Sequence, residues 1–277
     1  MRRSQPLLGT FVEVGIADEV SAPIQQRHFY QEICNVVFRE ISKVQSLMSR
    51  HDGYSDISKI NRLSATGKRI VLPIHPWTYE VLLIAQKICI ETNGLFDCGV
   101  GQFDPSHTSR KNHCDHASIC SIDLLGNHEV VIQEPISLDL GGIAKGYAVD
   151  RGVDILKNFG IEEAVINAGG DLRVLGQQAH AINLRERVNE GAYIHLGELR
   201  DGAIASSSTR FGRKNMKGEK SYLINPKTRK YIEDDLSYSI IAPTCVVADS
   251  LTKVLAIEKN IYAPYFKKFG AIPIIVE

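Results

Sequence analysis

Apolar residues recur at helical spacing along residues 25–48, where Phe29, Ile33, Val36, Val37, Val44, Leu47 and Met48 fall on one side. That stripe predicts a long helix laid on a sheet. Ser49–Arg50–His51–Asp52–Gly53 breaks it, and Ser55 or Asp56 is placed to cap a short helix ending near Arg62. His75–Pro76 opens another helix over residues 77–91, with the proline tolerated in its first turn and Asn93–Gly94 as the stop. Strict alternation takes over elsewhere. Residues 7–14 read as a strand carrying Glu13, and Ile136, Leu138 and Leu140 read as a short strand turning through Gly141–Gly142 into a helix marked by Ile143, Tyr147, Val149, Val153 and Leu156. Further short strands are predicted at 164–167, 172–175, 181–184, 194–196, 203–206, 222–224, 237–241 and 272–276, with a helix over 245–257 before the last. Strands and helices do not alternate regularly. The pattern predicts an α+β fold of mostly antiparallel sheets with packed helices, rather than a doubly wound one.

Composition changes this picture little. The 277 residues are 44% hydrophobic and 23% charged, enough for a sizeable core, and 32 basic residues balance 32 acidic ones. No basic stripe recommends nucleic acid as a partner. The six cysteines have no paired spacing, which suits a reducing compartment. The basic start, Met1 to Pro6, runs straight into the predicted strand without an apolar stretch, a cleavage site or a lipobox, and no run of about 18 apolar residues exists. The expectation is a cytoplasmic protein with no membrane span.

Three stretches carry candidate chemistry. Gly141 and Gly142 at a strand-to-helix turn let backbone approach a ligand, and the N–H groups of a helix start attract anions; Lys145 adds a cation one turn in. The alternative is a connection whose glycines serve tight packing. Asn167–Ala168–Gly169–Gly170–Asp171 repeats the glycine pair beside a carboxylate. Neither stretch is GxGxxG or a P-loop, so a Rossmann or P-loop nucleotide site is not supported. In the helix after Pro243, Thr244 is a candidate N-cap and Val247, Leu251, Val254 and Leu255 are core candidates. Asp249 then stands on an otherwise apolar helix, with Lys253 four residues on as an ion-pair partner. A hard divalent cation would need several oxygens, which Asp139, Asp171 and Asp249 are placed near turns to supply. Residues 105–120 read as a surface insertion. His113, Cys114, His116 and Cys120 within it match no zinc spacing, and a polar loop is favoured.

End to end, the chain resembles the ApbE family of flavin transferases. The motifs that carry the resemblance are Leu8–Gly9–Thr10, Met48–Ser49–Arg50–His51, Ser55–Asp56–Ile57–Ser58–Lys59–Ile60–Asn61 and Leu95–Phe96–Asp97. They continue, in collinear order, through the stretch from Asp139 to Asp150, Asn167 to Asp171, Ile204 to Ser207, Ile224–Asn225–Pro226–Lys227–Thr228 and Ala242 to Asp249. The resemblance implies one two-lobed domain over residues 1–277. It implies an enzyme that cleaves FAD, joins the FMN half through a phosphoester to a threonine of an acceptor protein, uses Mg²⁺ and releases AMP. A diphosphate needs an anion cradle, and in-line attack on phosphorus needs its charge neutralised. Carried over by position, the resemblance implies flavin contacts from Leu8, His51, Leu95, Phe96, Asp97, Asp139, Lys145 and Ile224. It implies metal contacts from Gly142, through its carbonyl, and from Asp249, which is also the catalytic candidate.

Six positions depart from the family's pattern. Leu8 stands for Met, His51 for Tyr, Tyr222 for His, Asn225 for Asp and Arg229 for Gly. Lys253 stands for a metal-binding Thr, and an ammonium there cannot ligate Mg²⁺. Two other activities stay open beside the transferase: a non-catalytic FAD-binding or carrier protein, and a metal-dependent FAD pyrophosphatase.

Overall fold

The computed structural model describes residues 1–17, 23–101, 117–185, 193–208 and 223–276. Its centre is a seven-stranded antiparallel sheet built from β1 (Arg2–Leu7), β2 (Thr10–Ile16), β6 (Ala164–Ala168), β7 (Asp171–Leu175), β10 (Ala203–Ser208), β13 (Ser237–Ala242) and β14 (Ile272–Val276), in the order β1-β2-β6-β7-β10-β13-β14. A three-stranded antiparallel sheet is formed by β3 (Ile70–Pro73), β4 (Ile122–Leu125) and β5 (Glu129–Ile132), with β5 in the middle. Two ribbons complete the strands: β8 (His180–Arg185) with β9 (Tyr193–Leu199), and β11 (Ile224–Asn225) with β12 (Lys230–Tyr231). The described elements therefore form the expected α+β architecture.

The helices α1 (Ile24–Met48), α2 (Asp56–Ser64), α3 (Pro76–Glu91), α4 (Ala144–Asn158), α5 (Cys245–Glu258) and α6 (Pro264–Lys268) share one continuous apolar core with the large sheet. α1 buries Ile33, Val37, Phe38, Ile41, Val44 and Met48, and lies on α4. α5 buries almost its whole circumference between α4 and strands β10 and β13, so it shows no polar face. Val174, Ile182, Leu199 and Ile204 form a smaller apolar cluster where the β8–β9 ribbon meets the large sheet.

Helix ends follow the sequence closely. Ser55 caps α2 by accepting from the Ser58 N–H at 2.9 Å, and the His75 ring accepts from the Trp77 N–H ahead of α3. Thr244 does not cap α5 with its side chain. The Asp150 carboxylate, reaching across from α4, accepts from the Cys245 and Val246 N–H groups at 2.9 and 2.8 Å. Burial pushes the Asp150 carboxyl up to about 6 in spite of those two bonds. α4 and α5 meet at their first turns because Gly146 has no side chain: a Cβ there would sit 2.3 Å from the Cys245 carbonyl oxygen.

Two predicted strands are corrected. Residues 7–14 are not one strand but the tip of the β1–β2 hairpin, turned by Leu8 (φ 56°) and Gly9 (φ 72°). Positive φ at both positions is what a two-residue hairpin turn requires. The segment through Ile136, Leu138 and Leu140 is buried as predicted, yet among the described residues it joins no sheet. Its hydrogen bonds go partly to the backbone after α3, where the Asp139 N–H donates to the Cys98 carbonyl at 2.8 Å and the Ser137 carbonyl accepts from the Gly101 N–H at 2.9 Å, and partly to side chains of α2. Asn61 brackets Leu138, accepting its N–H at 2.7 Å and donating to its carbonyl at 2.9 Å, and the Ser64 hydroxyl donates to the Ile136 carbonyl at 2.7 Å. Tyr222, His113, Cys114 and His116 lie outside the described residues, as does most of the predicted 105–120 insertion. Cys120 is exposed in a 3-10 turn at Ile119–Ser121.

Candidate active site

A cavity of about 800 Å³ opens where the β1–β2 hairpin tip, the α1–α2 loop, the loop after α3, the turn into α4, the β11–β12 ribbon and α5 converge. That volume lies within the range of pockets that enclose a small organic ligand. Nine of the ten residues singled out from the sequence line it: Leu8, His51, Leu95, Phe96, Asp97, Asp139, Gly142, Lys145 and Ile224. The tenth, Asp249, lies beneath the floor and is fully buried.

The upper wall is largely apolar. Leu8 is held in its left-handed conformation by its N–H bond to Gln45 Oε1 at 2.6 Å, an arrangement that stores strain at the cavity edge. Leu95 and buried Phe96 follow the closing turn of α3, where the Thr92 hydroxyl accepts from the Phe96 N–H. Asp97 does not turn both oxygens to the cavity: its Oδ1 accepts from the Gly99 and Ile119 N–H groups at 2.7 and 2.9 Å and braces the loop. Asn225 accepts from the Lys227 and Thr228 N–H groups, and Arg229 closes the ribbon at φ 54°, the conformation that explains a glycine in the family's pattern.

Arg50 is a lining residue that the sequence did not single out. Its guanidinium donates to the Gly101 carbonyl at 2.5 Å and pairs with Asp139 at 3.3 Å. The only signal was its place inside the Met48–His51 motif; a pairing across so much chain leaves no local trace.

The floor is a quartet of charges. Lys145 of α4 pairs with Asp171 of β7, and Lys253 of α5 pairs with Asp249 one helical turn earlier. Both carboxylates are inaccessible, at 1% and 0% exposure, while the two lysine side chains retain 33% and 20% and face the cavity. Asp249 Oδ2 also accepts from the Gly146 N–H at 3.1 Å. Burial alone would raise the Asp249 carboxyl, and the nearby Lys145 and Lys253 ammoniums outweigh it and hold it below the ordinary value. Asp171 moves the other way, to about 6, through burial and the negative charge of Asp249. For Lys145, burial works against the ammonium, and the carboxylates of Asp249 and Asp171 overcome it and raise its pKa.

This geometry bears on two expectations. The start of α4 is not an open anion cradle, because the Gly146 N–H is taken by Asp249 and the Gly141 N–H by Asp139 Oδ1 at 2.8 Å. Nor does the donor set fit a magnesium ion at Gly142 and Asp249. Both Asp249 oxygens are engaged, one of them by the Lys253 ammonium, and Asp171 is engaged by Lys145. Among the described residues no three His, Cys, Asp or Glu side chains converge to hold a metal. Two unit positive charges about 4 Å apart repel by about 4 kcal/mol at an effective dielectric constant near 20, and a divalent ion doubles that to roughly 8 kcal/mol.

A sequence model of the ApbE family matches residues 8–260. The chain belongs to the ApbE family. Among its ApbE relatives, the FAD:protein FMN transferase of Buchnera aphidicola subsp. Schizaphis graminum is 26% identical over 249 residues, covering 81% of this chain and 72% of that protein. The FAD:protein FMN transferase of Rhodobacter capsulatus is 29% identical over 222 residues, covering 73% of this chain but only 42% of that longer protein. The ApbE fold is matched in crystal structures of the Thermotoga maritima ApbE protein (TM-score 0.79, 23% identity, all of this chain and 94% of that one) and of the apo form of the Pseudomonas stutzeri flavinyl transferase ApbE (0.78, 18%, 100% and 91%). No described helix is long and apolar enough to cross a membrane.

Proposed function

We propose that this protein takes FAD as its substrate and transfers the FMN half to a threonine hydroxyl of an acceptor protein, releasing AMP. One observation carries the reading: a single cavity, in a chain of the ApbE family, with an apolar wall over a charged floor. FAD has the same division. Its isoalloxazine suits the wall of Leu8, Leu95, Phe96 and Ile224, with His51 and Asp97 beside it. Its diphosphate suits the cations that line the same cavity, Lys145, Lys253 and Arg50. Asp139, paired with Arg50, orients the guanidinium toward the same space. The relatives named as FAD:protein FMN transferases support the same assignment.

In the transfer, the threonine oxygen bonds to the phosphorus of the FMN half as the bond from that phosphorus to the bridging oxygen breaks. AMP leaves with the bridging oxygen, and the hydroxyl proton passes to solvent. Cationic side chains fixed beside the phosphates offset the negative charge that gathers on the leaving oxygen. The resemblance adds Mg²⁺ to this reaction, but the engaged oxygens of Asp249 do not fit that ion, and the part derived for the chain belongs to its lysines and Arg50.

The test is incubation with FAD and candidate acceptor domains, followed by intact mass of the acceptor and chromatography of the nucleotides. The expected result is a gain of one FMN less one water on the acceptor, with matching AMP. AMP and free FMN with no mass gain would replace the transferase by a pyrophosphatase. FAD bound but intact would replace it by a carrier.

A further inference from the structure

The disagreement between the expected metal and the observed donor set points to a role for Lys253. We propose that Lys253 is a cation built into the site, held by Asp249, that faces the diphosphate of FAD and makes its binding independent of a divalent metal. The proposal rests on the reading of the cavity as an FAD site.

Three observations carry it. First, the placement is structurally enforced. Asp249 and Lys253 lie one turn apart on α5, so their side chains stack on one face of the helix. The Lys253 Nζ donates to the Asp249 carbonyl at 2.9 Å and to its Oδ1. An ammonium has three N–H donors, and among the described residues only these two oxygens of Asp249 accept from it. One donor remains for a ligand. Second, the side chain reaches the cavity. It lines the space and is 20% exposed, and it passes directly over Gly142, where a Cβ would come within 3.4 Å of Lys253 Cε. The glycine turn that the sequence marked as a backbone approach to a ligand is thus also the place this lysine crosses.

Third, the charge is already balanced. The floor holds two carboxylates, Asp171 and Asp249, and two ammoniums, Lys145 and Lys253. With a neutral hydroxyl residue at 253 the same floor carries one net negative charge, which is the condition that recruits a cation before an anionic diphosphate can enter. With lysine there, the cation is supplied covalently by the chain. A lysine serves a phosphate as a point charge without needing the octahedral oxygen set that magnesium demands.

The experiment is a fluorescence titration with FAD, and in parallel with riboflavin, which has no phosphate. The wild-type protein, Lys253→Met and Lys253→Thr are each measured in EDTA and in saturating Mg²⁺. The proposal expects equal FAD affinity for the wild type in both solutions. It expects a loss of about ten- to a hundredfold for Lys253→Met in EDTA, the scale of one charge-assisted hydrogen bond. Lys253→Thr should lose affinity in EDTA and regain it with Mg²⁺, because the substitution leaves the Asp249 carboxylate free to meet a metal. Riboflavin affinity should not change in any variant, which separates a lost charge from a damaged fold. Wild-type FAD binding that requires Mg²⁺ overturns this proposal and leaves the function reading intact. The same follows if Lys253→Met binds FAD as the wild type does in EDTA, or if the variants lose riboflavin equally. Absence of FAD binding by the wild type in both solutions overturns the function reading, and this proposal with it.

Discussion

Gly141–Gly142 and Gly169–Gly170 look alike in the sequence: each is a glycine pair adjoining a strand-like segment, with an aspartate one or two positions away. In the structure they have different reasons to be glycine. Gly169 and Gly170 turn the β6–β7 hairpin at φ 66° and 106°, and a Cβ on Gly169 would lie 2.4 Å from Thr10 Oγ1. They line a separate cavity of about 680 Å³. Neither Gly141 nor Gly142 has a left-handed φ; a Cβ on Gly142 would instead meet the Lys253 stem at 3.4 Å, an ordinary contact at the edge of the candidate site. Only the carboxylate joins the two turns, since Asp171, immediately after Gly170, reaches the floor through Lys145. A glycine pair therefore reports a close approach or a special φ, and the charged neighbour alone does not tell which of them concerns a ligand.

The largest expected effect tests the floor beneath the first turn. Asp249→Ala leaves the Lys253 ammonium without its partner and frees the Gly146 N–H in a dry interior. Breaking a buried pair of this kind is expected to lower stability by about 3–5 kcal/mol in urea denaturation. A loss below about 1 kcal/mol would mean that the quartet is not the structural base of the turn into α4.

The next effect separates the two glycine pairs directly. Gly169→Ala forces a side chain into a left-handed conformation and against Thr10, and is expected to cost about 1–3 kcal/mol of stability while leaving FAD affinity unchanged. Gly142→Ala has as its nearest neighbours the flexible Lys253 stem and the Phe96 ring edge, at ordinary contact distance. It is expected to cost less than about 1 kcal/mol of stability and yet to weaken FAD binding severalfold. Equal binding losses in the two variants, in a paired denaturation and titration series, would erase the distinction.

How much of this was readable beforehand depended on whether the determinant was local. The helices α1 and α3 were legible because an apolar stripe and a glycine stop sit in the same short stretch, and α5 because an apolar run follows Pro243. The Asp249–Lys253 pair was legible for the same reason, being one helical turn apart. The β1–β2 hairpin was misread because alternation continues through Leu8–Gly9, and only the backbone shows that both residues turn left-handed. The segment at Ile136–Leu138–Leu140 was misread because its hydrogen bonds come from Asn61 and Ser64, more than 70 residues away, and from the backbone of Cys98 and Gly101, none of which the local pattern shows. The motif residues of the site gathered in one cavity, while Arg50–Asp139 and Lys145–Asp171 could not be paired from spacing. The capping of α5 by Asp150 rather than Thr244 belongs with them, since it needs the contact of α4 with α5 to be known.

The last expected effect is a slope rather than a single loss, and it concerns the carboxylate that joins the two turns. Asp171 ionises in the folded protein at about 6, against 3.8 for an unperturbed aspartate, chiefly because it is buried and faces the charge of Asp249. Between those values the native state holds a proton that the unfolded chain has released, so this group favours folding at low pH and its contribution is lost as pH rises through about 6. Asp249, held below 3.8, acts in the opposite sense and only as pH falls below that value. From pH about 4 to pH about 7, wild-type stability is therefore expected to decline relative to that of Asp171→Asn, and the difference between them should level off above pH about 7. Urea midpoints across this range measure it, and because the readout is the change with pH, a uniform loss of stability in the variant does not disturb it. Parallel curves would show that Lys145 keeps Asp171 ionised throughout. The hairpin turn would then contribute a fixed negative charge to the floor, and the contrast between the two carboxylates would disappear.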